Sequence, residues 1–240
     1  TLLNTRRIGS NVGSRQGEPD NLDNVTSFDR NKPVDMIGAV KATGQTGRIR
    51  YSVLAASEDD TDVNLGDTVA RLSGRDFGVA RLLYENTGDG GRRSIGWMGT
   101  VTDHPNRQAI TQGIDSHLLS NDGRLSFDGQ VMTSDVEDTR GYGLLANISF
   151  VPKHGHTHDI EIDYIDRHLN LNDLGFLART DQVSLKYHYE LEENHLPGLR
   201  ERESDISIKE TRNLNHKRTG GDVVLQRKWE YNDNSEARIG

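Results

Sequence analysis

Residues Arg124–Met132 read RLSFDGQVM, in which polar and apolar side chains alternate as far as Val131. Successive side chains of a β-strand point to opposite sides of the sheet, so the two kinds of side chain would lie on two different faces. The pattern predicts a strand with one apolar and one polar face.

The same period of two recurs along most of the chain. Clear segments begin at Ile49, Ile95, Tyr142, Ile160, Val183 and Val223, and weaker ones cover Val34–Thr43, Val79–Tyr84, Ala109–Leu118 and Asp205–Glu210. Helical spacing is confined to two short segments, Val63–Leu72 and Leu196–Glu203. With Arg124–Met132, the alternation predicts an all-β protein, an antiparallel meander of about eleven amphipathic strands.

The connections predict how the strands are arranged. Tight turns are expected at Gly44–Gly47, Asn86–Gly91, Asn121–Gly123 and Pro152–His156, and longer loops at Ser57–Asp76, Thr102–Gln108, Thr133–Arg140 and Asp166–Asp181. Short and long connections would then alternate through the first eight strands. Outer-membrane barrels have short turns at one end and longer loops at the other, so the expected architecture is part of an outer-membrane-type β-barrel.

Composition limits the possible classes of protein. The 240 residues include no Cys, which excludes disulfides and thiolate metal sites. Only 32% of the residues are hydrophobic, but their regular spacing argues against a disordered chain. A net charge of −8 without a basic stripe argues against binding to nucleic acid. We predict one domain, or a fragment of one, over residues 1–240, with residues 1–33 as an N-terminal lead-in and both ends looking like cuts.

Several stretches together resemble a known family. In chain order they are Arg6–Gly9, Ile37–Gly44, Tyr51–Leu54, Ser94–Gly96, Gly113–Asp115 and, as the most specific, Leu171–Arg179. The ordered set resembles the bacterial family called domain of unknown function 5916, from Arg6 to about Asp181. That family typically follows a family-9-type carbohydrate-binding module in surface proteins of Gram-negative bacteria.

The resemblance implies an outer-membrane β-barrel-like domain, with no established activity and no agreed catalytic residues. Localisation in a bacterial outer membrane, contact with its lipid and a possible link to saccharides follow as expectations. The carbohydrate-binding module and the rest of the barrel are absent from this sequence, and Gly240 stands where bacterial barrels commonly have an aromatic residue. Further chain segments or another subunit would complete the barrel, because unpaired strand edges are unfavourable in lipid.

Two groups of residues could bind a metal ion. His154, His156 and His158 alternate, so they would share one strand face and could bind Zn²⁺ or Ni²⁺, although a polar His-rich turn explains them better, because nothing in a flexible turn would fix the imidazoles. A second group, comprising Glu58, Asp60, Asp62 and Asn64, resembles the start of a calcium loop. The EF-hand spacing fails there, which leaves a looser surface calcium site or a solvated acidic loop.

Other polar residues suggest binding rather than catalysis. Asp159, Glu161 and Asp163 form an acidic row that could serve glycoside hydrolysis but suits a charged barrel lumen better. In the Leu171–Arg179 stretch, Asn172 and Asp173 suit a tight turn, and we expect a plug-like loop that pins the barrel. A ligand-contact role for Asn172, Asp173 and Arg179 is the alternative. No catalytic residue is predicted.

Three functions follow from these observations. The first is a membrane β-barrel segment in transport, export or surface anchoring. The second is a soluble β-rich carbohydrate-binding module, in which Trp97 and Trp229 would stack on sugars. The third is a hydrolase that uses the Asp159–Asp163 carboxylates. The sequence contains no recognised nucleophile or zinc motif that would support this third function.

Overall fold

The computed structural model describes residues 2–14, 25–64, 68–88, 90–105, 107–194 and 196–240. Helix is limited in these ranges to two 3₁₀ turns, Thr5–Arg7 and Val12–Ser14, and the short α1 at Ser27–Arg30. No helix among the described residues has the length and apolar character needed to cross a membrane.

The described residues also form fourteen strands. They are β1 Met36–Thr46, β2 Ile49–Glu58, β3 Thr61–Asn64, β4 Val69–Leu72, β5 Asp76–Asn86, β6 Arg92–His104, β7 Arg107–Leu119, β8 Leu125–Val136, β9 Thr139–Lys153, β10 His156–Ile165, β11 Gln182–Asn194, β12 Leu199–Arg212, β13 Arg218–Tyr231 and β14 Glu236–Ile239. Twelve form one sheet in the order β1-β2-β5 through to β14, and β3 pairs with β4 in a separate hairpin. Each ladder is antiparallel.

The predicted all-β antiparallel meander is therefore confirmed. Apart from the β3–β4 excursion, each strand of the large sheet pairs with its sequence neighbours. The sheet has twelve strands, because β14 is a short edge strand that alternation did not predict. Within the described residues, β1 and β14 are the end strands of the sheet order and no ladder joins them.

Both predicted helices are wrong. Val63–Leu72 contains parts of β3 and β4, with residues 65–67 outside the described part, and Leu196–Glu203 contains the start of β12. In β3, buried Thr61 and Val63 alternate with exposed neighbours. Val63 packs with Val12, Val25, Val34 and Leu72 in a small core beside the large sheet. Packing against these distant residues overrides the local helical spacing.

Two of the predicted long loops are also wrong. β6 ends at His104 and β7 already begins at Arg107, and β8 and β9 are joined by Glu137 and Asp138, which both have positive φ. Thr102 and Ser134, which lie within these two stretches, are buried strand residues. The long connections are the β3–β4 excursion and residues 166–181, so short and long connections do not alternate regularly.

Ladder register gives the large sheet two chemically different faces. Directly paired residues point to the same side, so a row can be followed from strand to strand. One row, here called the apolar row, crosses eight strands through Tyr51, Leu82, Trp97, Ile114, Val131, Leu144, Tyr164 and Val183. Each of these side chains is exposed, by 37% to 56%.

The opposite face carries the charges. Its polar row crosses nine strands through Glu85, Ser94, His117, Asp128, Asn147, Glu161, Lys186, Lys209 and Asp222. The two main hydrophobic clusters lie on this polar face as well, where other chain segments cover part of it. One cluster contains Leu2, Met132, Ile165, Leu169 and Leu171, and the other joins Leu174 to Ala56, Phe77 and Val79.

Candidate functional site on the polar face

Charged side chains of the polar face are paired across strands. The Arg81 guanidinium donates to both carboxylate oxygens of Asp115, with 2.8 Å from Nη2 to Oδ2. Lys186 Nζ lies 2.9 Å from Glu161 Oε1, and His117 Nδ1 lies 2.5 Å from Asp128 Oδ1. All of these groups are partly exposed, so they are available to a polar ligand or to water.

An open depression of about 400 Å³ lies among these charges. Strands β7 to β10 form it, and its lining includes Asp115, His117, Asp128, Asn147, Glu161 and Asp163. Five of these six residues are titratable, and four are carboxylates. Arg81 and Lys186 already neutralise Asp115 and Glu161, so the depression suits a hydroxyl-rich ligand better than an anionic one.

Residues 166–178, here called the crossing segment, lie over the polar face beside this depression. Leu169 packs against Met132 and Ile165, and Leu174 packs against Phe77 and Val79, so the segment reaches from β10 to β5. Gly141 allows the closest approach, since a Cβ there would lie 2.1 Å from the backbone nitrogen of Leu169.

Polar bonds fix the crossing segment in place. Arg107 donates from Nε and Nη2 to the Asp173 carboxylate at 3.0 and 3.1 Å. The backbone nitrogen of Asn170 donates to Ser134 Oγ at 2.9 Å. The lead-in contributes one bond, from the Asn4 backbone nitrogen to the Leu174 carbonyl oxygen at 2.5 Å.

The three residues predicted for ligand contact in this stretch occupy different environments. Asp173 is buried and neutralised by Arg107. Asn172 Oδ1 accepts from the Leu177 backbone nitrogen at 2.9 Å and so closes a local turn. Arg179 is exposed beyond the crossing segment. Asn172 and Asp173 thus hold the segment together, and ligand contact by the three residues stays a prediction.

The two Trp residues lie on the apolar side of the sheet. Trp97 belongs to the apolar row, directly between Leu82 and Ile114, and Trp229 lies near the end of β13. Six strands separate β6 from β13 in the sheet order. The structure does not bring the two rings together in one stacking platform along the sheet. Trp97 lines an open depression together with Gln112, Thr133 and Tyr142, and sugar binding there stays a prediction.

The alternating His residues also face the apolar side. His156 Nδ1 lies 2.8 Å from Tyr189 Oη, and His158 Nδ1 lies 2.9 Å from Tyr187 Oη. The ring of His158 also contacts Tyr189, at a centroid distance of 4.8 Å. His154 lies in the exposed turn before β10. Two of the three imidazoles are thus engaged in an aromatic cluster.

The four predicted calcium ligands bond to different partners. Glu58 is buried and binds Arg75, whereas Asp60 accepts from Arg71 Nε and the Gly74 backbone nitrogen, both at 2.9 Å. Asn64 donates to Asp29 from its backbone and side-chain nitrogens. Asp62 is exposed on β3. The structure does not gather these oxygens around one point, and calcium binding stays a prediction.

One group that the sequence analysis missed lies farther along the polar face. His188, Glu190 and Asp205 bring one nitrogen and two carboxylate oxygens within 4.8 Å of one another. The period of two places His188 and Glu190 on one face, but only the ladder register brings Asp205 opposite them. Without that register, the sequence gives no signal for the group.

Comparisons with known proteins identify no relative, since no family model, curated protein or solved structure matches this chain. The resemblance to the domain of unknown function 5916 therefore stays a prediction. Any function has to be argued from the two faces of the sheet.

Proposed function

We propose that the chain forms wall strands of an outer-membrane-type β-barrel in a Gram-negative bacterium. The apolar row would face lipid and the polar row an aqueous interior, through which a polar solute is transported or exported. The observation that carries this proposal is the exposure of all eight members of the apolar row on consecutive strands.

Exposure on this scale is costly in water. Soluble monomers rarely expose contiguous apolar patches larger than a few hundred Å², and larger ones mark contact with lipid or a partner. In a bilayer the same side chains stabilise the protein, because their apolar surface is transferred from water to hydrocarbon. Apart from the separate hairpin of β3 and β4, the strands from β1 to β13 have 10 to 15 residues. A tilted strand of about 9–11 residues spans the hydrocarbon core.

Aromatic residues near the strand ends support the same placement. Phe150 lies opposite the first residue of β8, and Tyr231 is the last residue of β13. Tyr142 lies near the start of β9, towards the other end of the sheet. Barrel proteins carry aromatic side chains in two bands, one at each membrane interface.

Other strands would have to complete the wall. β1 and β14 end the sheet order, and their outer backbone groups could not stay unpaired in lipid. We propose that further segments of the full protein, or another subunit, pair with these edges. Surface anchoring without transport is the alternative role of such a wall, and measuring solute flux through the complete protein separates the two.

Two adjacent residues of β8 test the lipid-facing assignment. Val131 lies in the middle of the apolar row, and Gln130 points to the polar face, opposite Asp115. Val131→Arg should disfavour membrane insertion by about 2–4 kcal/mol, because it places a charge near the bilayer midplane. Gln130→Arg is the matched control and should insert normally, since it adds the charge near a carboxylate.

The measurement is the amount of protein in the outer-membrane fraction with heat-modifiable gel mobility, for the chain expressed with its native flanking sequence. A deficit in Val131→Arg alone supports the proposal. Equal amounts of both variants in the membrane, or a soluble parent protein without a heat shift, would overturn it and favour the carbohydrate-binding hypothesis.

A further inference from the structure

A nitrogen and two carboxylates converge on the polar face of β11 and β12. His188 and Glu190 are two residues apart on β11, and Asp205 lies directly opposite Glu190 on β12. His188 Nε2 is 3.6 Å from Asp205 Oδ1 and 4.0 Å from Glu190 Oε2. All three side chains are partly exposed, so an ion has access to them.

The register around this group places like charges opposite each other. Glu190 faces Asp205, and the next pair on the same face is Glu192 with Glu203. Like charges directly opposite destabilise a sheet. From β10, Asp159 lies opposite His188 and adds another carboxylate. On the other neighbouring strand, Lys228 of β13 lies opposite Glu203. This single cation leaves most of the described carboxylates around the group without a positive partner.

We propose that His188, Glu190 and Asp205 bind a divalent first-row transition-metal ion. Ligand atoms about 2.0–2.2 Å from such an ion lie roughly 3–4 Å from one another. The three atoms here lie within 4.8 Å of one another, so small side-chain movements would bring them to the distances that coordination requires. An imidazole nitrogen favours Zn²⁺ and its neighbours over Ca²⁺ and Mg²⁺, which prefer oxygen. The ion would also neutralise the Glu190–Asp205 pair, and water would complete its coordination. The site is independent of whether the apolar row faces lipid.

Titration of the folded, chelator-treated full chain with Zn²⁺, followed by calorimetry, tests this site. One equivalent should bind, and His188→Gln and Asp205→Asn should each weaken binding more than tenfold. The matched control is His117→Gln, because His117 lies on the same face but beside a single bonded carboxylate, Asp128. Its affinity should equal that of the parent.

A second measurement separates ligation from a structural role. Without metal, Asp205→Asn should unfold no more easily than the parent, because it removes a like-charge pair. Added Zn²⁺ should raise the unfolding temperature of the parent but not of Asp205→Asn. The proposal is overturned by any of three results: no binding to the parent, unchanged binding in both ligand variants, or an unstable metal-free Asp205→Asn.

Binding could also come from the other His-rich region. A triple variant, in which His154, His156 and His158 are replaced by Gln, distinguishes the two. Retained binding in the triple variant supports the site on β11 and β12. If the triple variant loses Zn²⁺ binding and His188→Gln keeps it, the proposal is contradicted and the ion belongs to the His-rich region around the start of β10.

Discussion

The buried ion pair of Glu58 and Arg75 shows how single residues join the lead-in to the sheet. Arg75 donates to both carboxylate oxygens at 2.8 and 3.0 Å, and the Gly9 backbone nitrogen donates to Glu58 Oε1 at 2.8 Å. The Arg75 side chain is 4% exposed and the Glu58 side chain is fully buried, at 0%. Glu58 therefore holds a structural position, with its charge already neutralised.

Breaking this pair should destabilise the fold strongly. Arg75→Met leaves a buried, uncompensated carboxylate, which costs about 3–5 kcal/mol. The double variant Glu58→Met with Arg75→Met should recover part of that loss, because it removes both charges. Denaturant unfolding measures both effects. The exposed pair of Asp60 and Arg71 is the control, and Asp60→Asn should change stability much less. Equal losses from Arg75→Met and Asp60→Asn would contradict this account.

Asp29 should make the β3–β4 hairpin sensitive to acid. Bonds from the Asn64 side chain and backbone, then from Thr26, hold the pKa of its carboxyl below the usual value. A lowered folded pKa stabilises the protein above the unfolded pKa of about 3.9, and the benefit disappears as the pH falls through the folded pKa.

The matched comparison is wild type against Asp29→Asn. The wild type should be more stable at about pH 6, and its advantage should shrink below about pH 4 and vanish at still lower pH. Denaturant unfolding across this range gives the difference. An advantage that is independent of pH would mean that the charge of Asp29 does not matter.

Residue patterns predicted which side chains share a face but not which distant residues meet. Glu58 was interpreted as a calcium ligand from its acidic neighbours, since nothing local indicates that Arg75, seventeen residues later, binds it. Asp205 likewise joins His188 only through the β11–β12 register. Such contacts depend on register and tertiary packing, which a single sequence does not display.

At the scale of elements, alternation located most strands and failed at their ends. Thr102 and Ser134 are polar residues buried on the polar face of their strands, so their polar character did not indicate a loop. Short strands packed on a separate core, such as β3, were missed because four residues carry little periodicity. The Leu171–Arg179 stretch forms a loop, but its buried apolar residues are Leu171 and Leu174, and the expected burial of Phe176 is wrong, since its side chain is 53% exposed.

The crossing segment should be released by one added methyl group. A Cβ at Gly141 would lie 2.1 Å from the Leu169 backbone nitrogen, which a flexible side-chain movement cannot relieve. Gly141→Ala should therefore increase hydrogen exchange in residues 168–174. Gly38→Ala is the control, because a Cβ at Gly38 meets nothing within 4 Å. Identical exchange in the two variants would show that the segment is not held against β9.

At the scale of the whole molecule, the central feature is the separation of the two faces. Exposed apolar side chains continue across eight strands in one row, and polar side chains continue across nine strands on the other side. The sequence predicted each alternation separately. Only the ladder register aligns the alternations into continuous faces, because a slip of one residue would invert a whole strand.

Fluorescence quenching of Trp97 by brominated lipids tests the lipid-facing assignment most directly. Trp97 lies near the middle of β6 in the apolar row, and Trp229→Phe leaves it as the sole Trp. With the full protein in bilayers, bromines deep in the acyl chains should quench Trp97 strongly, and aqueous acrylamide only weakly. Strong quenching by acrylamide with no effect of any brominated lipid would contradict the membrane-wall account.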